Sequence, residues 1–189
     1  MASTYPTSLD TFTNPLATDV LTSPSHAQQH ADINDAVEAL ETKVAIGATV
    51  LGTYIAYTPT FAAGLTVGNG TSNARFTRVN NVVNYYGHFI LGTTSAVTGA
   101  IRIDLPVTAN SLYATINGQP MGDITFYDAS TGTWVKGETI SIGSTTTSLT
   151  RLLVANGTFL TNMSETTSTN PFIWTTSDQI LWNITYQAA

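Results

Sequence analysis

The sequence contains no cysteine, which excludes disulfides and thiolate metal sites together. Charge is scarce as well: Asp, Glu, Lys and Arg make up only 10 % of the chain, against roughly 25 % in an average globular protein. Six of those residues are basic and the formal charge is -6. A nucleic-acid partner is therefore not expected, because phosphate binding needs clustered Lys and Arg. No run approaches the roughly 18 apolar residues of a membrane span. The first segment, "MASTYPTSLDTFTNPLATDV", has neither a basic stretch nor an apolar one, so a signal peptide is not expected either. What remains is polarity without charge. Thr, Ser, Asn and Gln supply the surface, and 42 % hydrophobic residues are enough to build a core and to argue against disorder.

The chain divides into three parts. Residues 1–22 read as an extended arm, broken by Pro6 and Pro15 and punctuated by Tyr5, Leu9 and Phe12. An arm with large apolar side chains that it cannot bury on itself suits docking onto another protein. Residues 23–47 read as a helix, with Ser23 as N-cap and Pro24 at the first helical position. Ile33, Val37, Leu40 and Val44 recur at steps of four, three and four, a heptad seam with Val37 and Val44 at a and Ile33 and Leu40 at d. Carried backwards, the register puts His30 at a and His26 at d. So narrow a stripe does not fit a globular core, and a lone helix of this length is marginal in water. It is expected to pair with copies of itself as a coiled-coil stalk. Val at a with Leu at d leans toward two strands and Ile33 at d leans higher, so the seam leaves two and three open. His26 and His30 have a metal-ligand spacing. Polar residues at a and d more often fix register, and neither a metal nor another cofactor is expected.

Residues 53–189 change period from helical to two. Ile180, Trp182, Ile184 and Tyr186 alternate with polar or outward residues, as do Ile101, Ile103 and Leu105, and Ile124 and Phe126. "RFTRVNNVVNYYGHFIL" predicts two strands turning at Asn80-Asn81, and "YDASTGTW" a second hairpin with Asp128 to Gly132 in its turn. Regular turn signals without a second helix predict a mainly β unit, an antiparallel β-sandwich of jelly-roll-like kind.

Chemistry is hard to find. His88 is the one histidine of the β unit and has no nucleophile motif beside it, so it reads as a structural strand residue. Asp104, Asp123, Asp128, Glu138, Glu165 and Asp178 sit largely at turns and strand ends, and no spacing singles out a catalytic pair. No enzymatic activity is expected. Of the aromatic residues, Tyr127 and Trp134 flank a turn with Asp128 and could stack a sugar ring, or Trp134 could belong to the core.

"TNPLATDVLTSPSHAQQHADINDAVEALETKV" resembles the N-terminal segment of tail and fibre proteins of tailed bacteriophages, especially those infecting actinobacteria. "YTPTFAAGLTVGNGTSNARFTRVNNVVNYYGHFIL" and the final "PFIWTTSDQILWNITYQAA" are similar to a domain of such proteins. The resemblance implies a virion structural protein on the particle exterior, anchored by its arm through Tyr5, Leu9 and Phe12 to tail or capsid proteins. It also implies a homotrimer. The chain lacks the repetitive shaft of long fibres, which leaves two expectations: a fibre or spike attaching to host-surface glycan through Tyr127, Asp128 and Trp134, or a capsid decoration or head-fibre protein without an essential ligand.

Overall fold

A computed structural model describes residues 26–44, 52–156 and 159–189, and among these the side chains of 26–28, 41–44 and 152–163 are left aside. The arm with Tyr5, Leu9 and Phe12, the cap at Ser23 and Pro24, and residues 45–51 lie outside the described residues. The chain forms two units, Met1–Thr53 and Tyr54–Ala189.

In the first unit, α1 runs from His26 to Val44, 19 residues rich in Ala, Gln and Glu, which lose little rotamer freedom in a helix. Ile33, Val37 and Leu40 are 53 %, 47 % and 49 % exposed.

The second unit is one antiparallel sheet of ten strands that curls around its core. In chain order the elements are β1 (Ile55–Tyr57), β2 (Phe61–Thr66), β3 (Thr71–Val79), β4 (Val82–Ile90), β5 (Ala96–Asp104), α2 (Leu112–Thr115), β6 (Asn117–Asp128), β7 (Thr133–Ile142), β8 (Thr147–Asn156), β9 (Phe159–Glu165) and β10 (Gln179–Gln187). The spatial order is β1-β3-β4-β10-β6-β7-β8-β5-β2, with β9 on β8. Two details differ from the sequence expectation. Hydrogen bonding runs through a single curled sheet rather than two separate ones, and a short helical turn, α2, interrupts the strands.

Both expected hairpins are present. β3 and β4 pair from Thr71↔Ile90 to Val79↔Val82, and Asn80 takes the left-handed conformation at φ 53° that Asn tolerates best after glycine. β6 and β7 close at Asp128↔Thr133, with Gly132 at φ 73°. The last strand, β10, is central, pairing with β4 over nine residues and with β6 over six. Its inward residues Ile180, Trp182, Ile184 and Tyr186 are all buried, beside Tyr85 and Phe89 of β4 and Ile124 and Phe126 of β6. Gly87 lies opposite Trp182, and a Cβ there would meet the indole ring and the Ala74 side chain. Curling brings Phe61 of β2, at one end of the strand order, against Phe89 and Trp182, with ring centroids 5.4 and 6.1 Å apart.

Candidate functional site

The β6–β7 hairpin lies at the end of the β unit away from where the chain joins it. Tyr54 stands edge-on to Tyr86 of β4, centroids 5.1 Å apart. The hairpin tip lies beyond the row of Ile90 and Gln179, four residues or roughly 14 Å further along the strands.

Asp128 is buried and closes the turn. Its Oδ1 accepts from the Ser130 N–H (2.9 Å), the Ser130 hydroxyl (2.7 Å) and the Thr131 N–H (3.2 Å), and its Oδ2 accepts from the Thr131 hydroxyl (2.9 Å). The Ser130 hydroxyl above all holds this carboxyl below the usual carboxylate range, with Thr131 adding to it. Asp128, which the sequence reading placed beside a sugar, thus spends most of its hydrogen bonding on its own turn. A second buried carboxylate, Asp178, braces the same end. It accepts from the Ala129 N–H at 2.9 Å and from the Thr175 N–H, tying the hairpin to the loop ahead of β10.

Trp134 is 57 % exposed, which rules out its reading as core. Its ring lies on that of Tyr127, the residue opposite it, with centroids 4.3 Å apart and planes inclined by 34°. Strand parity explains both outcomes. Asp128 shares its face with Ile124 and Phe126, which point inward, whereas Trp134 shares its face with Lys136 and Glu138. That pattern was the available signal. Of the other aromatics weighed, Tyr85 and Trp182 are buried, Tyr86 is exposed, and Trp174 donates to the Thr167 carbonyl and stacks near Phe126 and Phe172.

Residues facing each other across antiparallel strands share a side of the sheet, so the pairing defines outward rows. One row runs Thr71, Ile90, Gln179, Tyr127, Trp134. The next is Asn73, His88, Leu181, Thr125, Lys136. The third is Arg75, Tyr86, Asn183, Asp123, Glu138, continued by Arg151 of β8 and Glu165 of β9. This third row holds what spacing along the chain did not reveal: Asp123 and Glu138 are direct neighbours. The Glu138 carboxyl is pushed up chiefly by partial burial, with Asp123 adding and Arg151 opposing. Counting back equally from both ends of the hairpin turn would have paired them. His88 faces Asn73 and Leu181 rather than a hydroxyl and a carboxylate.

Among the described residues no group of three or more His, Asp or Glu could hold a metal ion, and no helix is long and apolar enough to cross a membrane. Ile33, Val37 and Leu40, expected from the sequence to join copies of the chain, fall on α1. His26, His30 and Val44 lie on the same helix, though the side chains of His26 and Val44 are outside the description.

Compared with protein-family models, with curated proteins and with solved structures, the chain matches none.

Proposed function

We propose that this chain is a structural protein of a tailed-phage virion: a homotrimeric fibre or spike, anchored through residues 1–22, whose β unit attaches to host-surface glycan at Tyr127 and Trp134. The observation that carries this reading is the exposure of Ile33, Val37 and Leu40 on α1. These three apolar side chains, at heptad spacing, stay about half exposed. Shielding the exposed half of each contributes up to about 0.7–1.5 kcal/mol, which associating copies would supply. The threefold state follows the resemblance to phage fibre proteins, because the a and d residues alone fit two or three strands. The exposed Trp134, set on a braced hairpin at the far end of the β unit, supports the attachment role.

The test combines mass and incorporation. Light scattering of the full chain is expected to give the trimer mass, and Val37→Asp with Leu40→Asp to give a folded monomer. Deleting residues 1–22 should leave trimers that no longer enter particles. A monomeric wild type would refute the stalk, and normal incorporation of the deletion would refute the anchor. Trimers that enter particles but bind no host cell fraction would favour the capsid-decoration role instead.

A further inference from the structure

We infer that the outward face of β3, β4, β10, β6 and β7 is one continuous binding surface for a neutral oligosaccharide, held at Trp134 and extending to the Tyr54–Tyr86 pair. This deepens the attachment reading above and rests on it for the glycan class; the extent, polarity and residues of the surface come from the strand register.

Two ring pairs mark its ends. Trp134 with Tyr127 stands at the hairpin, and Tyr86 with Tyr54 stands three strands across and four residues along. Those steps correspond to about 14 Å in each direction, so about 20 Å on the diagonal, the span of a short oligosaccharide. The aliphatic C–H face of a sugar ring carries slight positive charge and stacks on the electron-rich face of an aromatic ring. Its rim of hydroxyls needs planar donors and acceptors beside that stack. Gln179, Asn183 and His88 lie on the diagonal or next to it, and none forms a side-chain hydrogen bond among the described residues.

Charge decides which glycan. The outward rows of these five strands carry Arg75 and Lys136 against Asp123 and Glu138, an even balance in a chain of formal charge -6. The Lys136 ammonium donates to the Thr125 hydroxyl at 2.8 Å, and Arg151 faces Glu138. Such a face has no cluster to hold phosphate or polyanionic sugar, and it complements an uncharged ligand. β4, β10, β6 and β7 each have strand partners on both sides, which leaves no edge on them for a peptide added as an extra strand.

Calorimetry of the full chain with a neutral oligosaccharide selected on a glycan array, taken from disaccharide to hexasaccharide, tests the inference. Affinity is expected to rise with length in the wild type. Trp134→Ala should lower it at least about tenfold at every length. Tyr86→Ala should leave the disaccharide unaffected and remove the gain with length, with both melting temperatures unchanged. If hexasaccharide binding is untouched by Tyr86→Ala, the extended surface is wrong while attachment at Trp134 stands. If Trp134→Ala binds as the wild type does, or no array glycan binds, the attachment reading falls with it.

Discussion

The hydroxyl of Tyr186 joins the central strand to the loop after β5. It donates to the Val107 carbonyl at 2.7 Å and accepts from the Val107 N–H at 3.1 Å, inside the core. Burial pushes its pKa up to about 12, with the Val107 contact opposing in part. The folded state therefore holds this proton more tightly than the unfolded chain does. The stability linked to it is complete below the ordinary tyrosine value of about 10 and is lost as pH climbs from there toward 12. Tyr186→Phe removes the partner of two part-buried backbone groups and is expected to lower stability by about 0.5–1.5 kcal/mol at neutral pH. Urea unfolding at a series of pH values should also show a shallower alkaline decline in the variant. Some decline remains, because burial raises Tyr85 as well. A variant as stable as the wild type, with the same alkaline slope, would show that the bond contributes nothing.

At the scale of elements, the legible parts were those whose period is local. The alternation in β5, β6 and β10 needs only neighbours along the chain, and so do the turns at Asn80 and Gly132. The central place of β10 was not legible, since its partners lie on β4 and β6, far off in sequence. β7 and β8 misled in another way: Thr139, Ser141, Ser148 and Thr150 look like surface and are fully buried. The candidate site was half legible for the same reason. Its hairpin could be read from "DASTG", but the neighbours supplied by β10 and β4 could not. Glycine shows the tertiary component at one position. Gly64 sits where the β2 register shifts, at φ 78°, and a Cβ there would run into the Ala100 carbonyl of β5. Gly64→Ala is expected to destabilise by about 1–3 kcal/mol. Gly99→Ala, where a Cβ meets open space, should stay within about 0.5 kcal/mol of wild type. Equal thermal shifts for the two would mean that the bulge is not what requires glycine.

For the whole molecule, the proposed trimer would make the exposed Ile33, Val37 and Leu40 of α1 and the outward aromatic residues of the β unit parts of one device. A flat, solvent-facing glycan site of the kind proposed around Trp134 would enclose little of its ligand, so each copy is expected to bind weakly. On the proposed trimer, joining copies through Ile33, Val37 and Leu40 would turn the second and third contacts into intramolecular events. Avidity can then exceed single-site affinity by about 10²–10⁴ without any new contact. The double variant Val37→Asp, Leu40→Asp separates the two quantities. Its β unit should keep the wild-type melting transition and the wild-type affinity for a soluble oligosaccharide, because the seam residues belong to the other unit. On a surface coated with the same glycan, surface plasmon resonance should show dissociation at least about a hundredfold faster than for the wild type. If both proteins leave the surface at the same rate, the copies do not engage it together. The helix would then serve assembly alone.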